Sequence, residues 1–158
     1  MIEVSGRKAG RVTVAGLVCY RPGQRSRLLY RLHVHHRRAG ENASFTETDY
    51  IGLLDAAHQQ LGAPIVLIWD SLNRHISAKM RGYLQARDWL RVIRLPAYAP
   101  ELNPAEGAWS VLKRGLSNLA VSHVDDLATL IRSRLKPMQY RPALIDGFLA
   151  ETGLTLNP

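Results

Sequence analysis

The sequence predicts a mixed α/β fold. Residues 27–35 alternate between apolar and polar side chains, as in a strand with one wetter face. An uninterrupted apolar run from Pro64 to Asp70 is typical of a strand in a mostly parallel sheet, and everything from Ala105 onward has the pattern of amphipathic helices. The chain has 158 residues, 46% of them hydrophobic, so it can bury one core and is most simply a single domain over residues 1–158.

Two strands joined by a tight turn are predicted first. Residues 11–20 are apolar on both faces, which predicts a central strand. The dipeptide Pro22-Gly23 predicts the turn, because proline fixes φ and glycine accepts positive φ. A second strand over residues 27–35 completes the hairpin. We predict no strand before residue 11.

The middle of the chain alternates helices and strands. Thr46 and Asp49 form a capping box for a helix that ends near Leu61. The strand of residues 64–70 follows, and its continuous apolar character predicts helices on both of its faces. The remaining predicted elements are a helix over 77–86, a strand over 90–95, a helix from about 104, a helix capped by Ser122 and Asp125, and a last helix ending before Gly153.

Two carboxylates occupy positions that suit a metal ion. Asp70 ends the apolar strand, and functional groups in open α/β sheets gather where strands end. Glu106 lies in the first turn of a predicted helix. Considered alone, Glu106 is better explained as a capping residue, because Asn103 and Pro104 place it at the third helical position, where a glutamate folds back onto the cap.

The residues around Glu106 change that interpretation. The segment LPAYAPELNPAEGAWSVLK, residues 95–113, resembles the glutamate segment of DDE transposases, specifically the bacterial insertion-sequence branch of the mariner superfamily. Asp70 and Glu106 are separated by 35 residues, which is typical of that family. The resemblance extends over most of the chain. The matching residues are Asp70, Leu95, Pro96, Tyr98, Pro100, Leu102, Asn103, Pro104, Glu106, Trp109, Leu112 and Lys113.

The resemblance implies a ribonuclease H-like mixed sheet flanked by helices. It also implies cleavage and transfer of DNA strands at insertion-sequence ends. Asp70 and Glu106 would be the catalytic residues and the metal ligands, with Mg²⁺ as the expected cofactor and Mn²⁺ as a substitute, because carboxylates suit hard cations.

One departure from the family concerns its first catalytic aspartate, which lies on a strand before GRVTVAGLVCY and has no counterpart here. Glu3 is the acid nearest to that position, but no strand is predicted to hold it. We therefore expect a partial catalytic domain that lacks the first strand and the family's N-terminal DNA-recognition region. The isolated chain is expected to bind metal poorly and to be inactive or severely impaired. The acids ahead of Asp70 are Glu3, Glu41, Glu47, Asp49 and Asp55.

The formal net charge of +8 indicates a polyanionic partner. Together with the resemblance, it predicts binding to insertion-sequence ends and target DNA, and the relatives' assembly on DNA implies a homodimer there. No apolar run approaches the roughly 18 residues of a membrane span and no leader is recognisable, so we expect a soluble, cytoplasmic protein. The candidate DNA-contacting residues are Arg74, His75, Lys79, Arg81, Lys113 and Arg114.

Several alternatives remain open. A loop hydrogen bond explains His75 as well as a phosphate contact does. His33, His35 and His36 are better explained as a solvated or DNA-facing strand than as metal ligands, and the three tryptophans as core residues. A non-catalytic DNA-binding or regulatory transposase fragment is the main rival function. The other is a different ribonuclease H-like nuclease, against which the LNPAEGAW segment argues.

Overall fold

The computed structural model describes residues 1–5, 10–69, 77–96, 99–117 and 121–156. Their contacts divide the chain into two compact units. Unit 1 comprises residues 1–45 and 104–158, and unit 2 comprises residues 46–103. Helices and strands occur in both units, so the predicted mixed α/β class is confirmed.

Unit 1 contains a three-stranded antiparallel sheet in the order β1-β2-β3. The strands are β1 (Ile2–Ser5), β2 (Arg11–Cys19) and β3 (Arg27–His35). The amide of Gln24 donates to the carbonyl of Arg21 at 3.0 Å and closes the turn between β2 and β3. The predicted hairpin is therefore confirmed, with its turn at the expected Pro22-Gly23.

The prediction that no strand precedes residue 11 was wrong. β1 pairs with β2, with Ile2 opposite Val14 and Glu3 opposite Thr13. The segment is too short to show a clear period in the sequence, and pairing with the edge of the longer β2 is what stabilises it. Glu3 is consequently held on a strand, with its carboxylate 3.4 Å from the guanidinium of Arg11.

Three helices complete unit 1: α3 (Pro104–Leu116), α4 (Val124–Gln139) and α5 (Pro142–Glu151). They contribute to one hydrophobic core with the sheet. Trp109 is 1% exposed in that core, so its predicted burial is confirmed. The fully buried residues include Val12, Val14, Leu112, Ile131, Leu135 and Ile145.

The predicted cap of α4 was wrong. The helix begins at Val124, and His123 occupies the cap position without a side-chain hydrogen bond. Asp125 does not fold back onto a cap at Ser122, because its carboxylate accepts a hydrogen bond from Nε2 of His36 at 3.0 Å instead. A contact with a residue distant in sequence thus replaces the predicted local one.

Unit 2 contains α1 (Glu47–Leu61), β4 (Ile65–Trp69), α2 (Ala78–Gln85) and β5 (Leu90–Arg94). The capping box of Thr46 and Asp49 forms as predicted, and Gly62 ends α1 in the left-handed conformation with φ 59°. β4 and β5 pair in parallel to give a separate two-stranded sheet.

The prediction that β4 is covered on both faces was wrong. Leu67 is buried, but Val66 is 58% exposed and Ile68 is 51% exposed. Their neighbour Ile93 on β5 is also exposed, so one apolar face of this small sheet is open. An apolar run alone does not distinguish a strand buried on two faces from one buried on a single face.

None of the helices in the part of the chain that the structure describes has the length and apolar composition of a membrane span.

Candidate active site

The predicted site residues fall in different parts of the chain. Glu106 lies in α3 of unit 1. Asp70 follows Trp69, the last residue of β4, and lies outside the described residues together with Arg74 and His75. The close approach of Asp70 and Glu106 therefore stays a prediction.

Glu106 is the third residue of α3, as expected, but its carboxylate does not complete a capping box. The amide of Asn103 donates to the carbonyl of Pro100 at 3.0 Å and closes the short 3₁₀ turn before the helix. Within the described residues, the Glu106 carboxylate has no hydrogen-bond or ion-pair partner. The positive end of the helix favours the ionised form of this carboxylate, and the lack of a partner among the described residues leaves it available to an external cation.

One face of α3 combines this acid with a lysine. Glu106, Ser110 and Lys113 have the spacing i, i+4 and i+7, which places them on one stripe of the helix. Ser110 and Lys113 are exposed, and Glu106 is half-buried. Lys113 lies about 10 Å along the helix axis from Glu106 at the standard helical rise. The position of Ser110 beside Glu106 was not predicted, although a spacing of four residues in a helix is enough to indicate it.

Two glycines allow α3 to pack unusually closely against its neighbours. A Cβ atom on Gly16 of β2 would lie 2.6 Å from Cη2 of Trp109. A Cβ atom on Gly107 would lie 2.5 Å from Cδ1 of Phe148 on α5. Neither contact was predicted. The sequence does contain a hint of both contacts. A glycine inside a strand or a helix destabilises that element, and it often marks a place where another element packs closely against the backbone.

The last turn of α3 is basic and exposed. Lys113 and Arg114 lie there, where positive charge also suits the helix C-terminus. Arg134 of α4 packs beside the same turn, because a Cβ atom on Gly115 would lie 3.8 Å from its Cδ. Unit 1 therefore offers three basic side chains on or beside one helix end, of which Arg134 was not predicted.

In unit 2, the two described candidates for DNA contact lie on α2. Lys79 and Arg81 are both exposed. Their spacing of two residues places them on different faces of the helix. The ammonium of Lys79 donates to Oγ1 of Thr48 at 2.7 Å, which ties it to α1.

The histidines at and just after the end of β3 have polar contacts of their own. Nε2 of His33 donates to the carbonyl of Asn42 at 2.7 Å. The ring of His36 lies between two carboxylates, with Nε2 3.0 Å from Asp125 and Nδ1 3.2 Å from Glu41. Hydrogen bonds to Asp125 and then to Glu41 raise the pKa of His36 above its ordinary value. The contact with Asp125 holds the segment after β3 against α4.

The donor chemistry of Glu106 fits a hard divalent cation. A carboxylate without a polar partner in the described part of the chain offers the oxygen ligands that Mg²⁺ prefers, and a half-buried position strengthens its attraction for a cation. Among the described residues, no three metal-ligating side chains lie together. Asp70, the other expected ligand, is not among these residues.

Comparison with known proteins identifies the family. A family model described as DDE superfamily endonuclease matches residues 3–128. The Tc1 transposase of Caenorhabditis elegans is 30% identical over 93 residues, which are 58% of this chain and 34% of that protein. Protein y4pE/y4sA of Sinorhizobium fredii is 36% identical over 69 residues, 43% of this chain and 48% of its own length.

The chain thus spans about a third to a half of the length of these curated relatives. The family match includes the positions of both predicted carboxylates, Asp70 and Glu106, and confirms the expected relationship to DDE transposases. The chain belongs to the DDE superfamily endonuclease family.

Proposed function

We propose that this chain is part of a transposase that cleaves and joins DNA strands at insertion-sequence ends. The observation that carries the proposal is the Glu106 carboxylate, which has no polar partner among the described residues and lies on a tightly packed helix. The DDE endonuclease model matches the chain over residues 3–128. In this proposal the catalytic domain has a ribonuclease H-like sheet.

Asp70 and Glu106 are the proposed catalytic carboxylates and the ligands of Mg²⁺, for which Mn²⁺ can substitute. When bound, two such ions activate the attacking oxygen and stabilise the leaving oxygen. Their four positive charges exceed the two negative charges of this pair, so efficient cleavage requires a further carboxylate. Glu3 is poorly suited to that role because it forms an ion pair with Arg11.

The proposed partner is DNA, bound mainly through its phosphates. Lys113 and Arg114 extend the stripe that begins at Glu106, and Arg134 adds a third positive charge nearby. Lys79 and Arg81 contribute from α2, with Arg74 and His75 as further candidates. We also propose that the chain acts as a homodimer on DNA.

DNA binding tests the phosphate contacts. If about four phosphates are neutralised, the logarithm of the association constant should fall with the logarithm of salt concentration at a slope near −3.6. Fluorescence anisotropy with a labelled duplex measures this slope. Replacing both Lys113 and Arg114 by glutamine should make the slope less steep by about 1.8.

The matched control for this pair is Lys136→Gln, an exposed lysine in the last turn of α4. It removes a positive charge at another helix end, and we expect the slope to stay unchanged. A flat salt response in the unmodified chain, or an equal loss in the control, would contradict the proposed DNA contacts.

Metal-dependent cleavage tests the carboxylates. Because a further carboxylate is required, the unmodified chain should nick supercoiled DNA at most weakly. That residual nicking should depend on Mn²⁺, and Asp70→Asn and Glu106→Gln should each abolish it. Glu101→Gln is the control, because Glu101 is an exposed acid in the nearby 3₁₀ turn and should be dispensable.

Nicking that persists in Glu106→Gln would contradict the catalytic assignment. Salt-dependent DNA binding without nicking, combined with Mn²⁺ binding that Glu106→Gln leaves unchanged, would favour the second candidate, a DNA-binding or regulatory transposase fragment.

A further inference from the structure

Phe148 of α5 lies against the backbone next to Glu106. The three atoms nearest to a Cβ placed on Gly107 all belong to the Phe148 side chain, at 2.5, 2.9 and 3.1 Å. A real Cβ atom could not occupy that space without a shift of the ring or of the helix. The first turn of α3 and the aromatic ring are therefore in direct contact.

Phe148 is itself firmly placed. Its side chain is 3% exposed, and α5 is tied to the strand region by polar contacts at both Ile145 and Asp146. The hydroxyl of Tyr20 donates to the carbonyl of Ile145 at 2.8 Å, and the hydroxyl of Ser26 donates to the carboxylate of Asp146. The ring is thus a fixed surface against which the start of α3 packs.

The start of α3 needs such a surface. The amides of a helix's first turn have no intrahelical acceptors, so packing has a large share in fixing that turn. The Glu106 carboxylate has no polar partner within the described residues to set its direction. Its position therefore depends on where the adjacent backbone at Gly107 lies, and Phe148 fixes that backbone.

We propose that Phe148 is a positioning residue for Glu106. Its ring fills the space left by Gly107 and sets the direction in which the Glu106 carboxylate leaves α3. This inference rests on the proposed role of Glu106 as a metal ligand. Family membership does not assign it, because α5 lies beyond the matched residues 3–128.

A measurement without metal tests the positioning directly. NMR couplings between the α and β protons of Glu106 report its side-chain rotamers. Phe148→Leu keeps an apolar residue but removes the ring, and it should shift these couplings towards conformational averaging. Ile145→Val is the control, because Ile145 is fully buried on the same helix and contributes none of the atoms nearest to Gly107. It should leave the couplings unchanged.

Metal titration tests the consequence. Phe148→Leu should raise the Kd for Mn²⁺ about tenfold, as loss of an outer-shell partner of a metal ligand commonly does. In a Glu106→Gln background the same substitution should have no further effect. The double variant Gly107→Ala with Phe148→Leu should recover part of the affinity, because the added methyl group occupies space vacated by the ring.

The outcomes distinguish the proposed metal-binding role of Glu106 from the proposed positioning role of Phe148. If Glu106→Gln leaves Mn²⁺ binding unchanged, the proposed metal role fails, while the Glu106 couplings still decide the positioning claim. If Glu106→Gln weakens binding but folded Phe148→Leu matches the Ile145→Val control in both couplings and Kd, the positioning role is overturned.

Discussion

The two units bury their strands to different degrees. In unit 1, Val12 and Val14 of β2 are fully buried beneath three helices. In unit 2, the central residue Leu67 of β4 is buried, but Val66 and Ile68 on either side of it are more than half exposed. The proposed ligand Glu106 therefore stands on a helix packed into a dense core, whereas Asp70 follows a strand with one open face.

This difference shows that Glu106 and the strand that precedes Asp70 have unequal structural support. A two-stranded sheet is marginal by itself, so β4 and β5 depend on what covers them. Unit 1 has a three-stranded sheet, a continuous core and close glycine contacts on both sides of α3. We infer that the surroundings of Glu106 are more rigid than those of the end of β4.

The largest expected difference between the two units is in the stability lost when a buried core side chain is truncated. Trp109→Ala should lower the free energy of unfolding by about 3–5 kcal/mol, because it removes the largest fully buried side chain of unit 1. Leu67→Ala in unit 2 should cost about 2 kcal/mol, at the lower end for a buried leucine. Urea denaturation followed by circular dichroism measures both. An equal or larger loss in Leu67→Ala would remove the contrast between the units.

A smaller loss of stability is expected when one methyl group is added beneath Trp109. Gly16→Ala should destabilise the chain by about 1–3 kcal/mol, because the new Cβ would overlap the indole ring. Gly147→Ala is the control, since a Cβ there meets nothing within 4 Å and alanine favours the helix by about 0.5–1 kcal/mol. If both substitutions stabilise the chain, the close approach of α3 to β2 is not present in solution.

The smallest effect on stability should come from the segment of unit 1 that follows β3. The pKa of His36 is raised in the folded chain above its ordinary value of 6.5, first by Asp125 and then by Glu41. Its stabilising contribution is therefore complete below the unfolded pKa and is lost as the pH rises through the folded pKa. The melting temperature of the unmodified chain should exceed that of His36→Gln most at mildly acidic pH.

His123→Gln is the control for this experiment, because His123 is exposed and its ring makes no hydrogen bond at the start of α4. The difference between His36→Gln and the unmodified chain should shrink as pH rises, and His123→Gln should show no such trend. A difference that grows with pH would mean that His36 is not protonated between the two carboxylates.

The features predicted correctly from the sequence are those that depend only on residues close together along the chain. The capping box of Thr46 and Asp49 and the Pro22-Gly23 hairpin are local, and the structure contains both. β1 and the open face of β4 were missed because they depend on strand pairing and on tertiary cover, which a short apolar pattern does not specify.

The same distinction applies to the site. Glu106 was recognisable from the residues around it, but its lack of a capping bond was not, because the local pattern fits a capping box equally well. The contact between Gly107 and α5 was only partly foreseeable: a glycine inside a helix indicates close approach, but it does not identify Phe148, which is distant in sequence, as the partner.

Paramagnetic broadening by Mn²⁺ can establish whether Glu106 and Asp70 bind one divalent cation, as proposed. In nitrogen-15 spectra with substoichiometric Mn²⁺, amides 105–107 of α3 and those immediately after Trp69 should broaden together, and Glu106→Gln should abolish both effects. Amides at the C-terminal end of α1 should stay sharp. Broadening confined to other segments, such as the one containing His36 and Glu41, with no change at α3, would contradict the account.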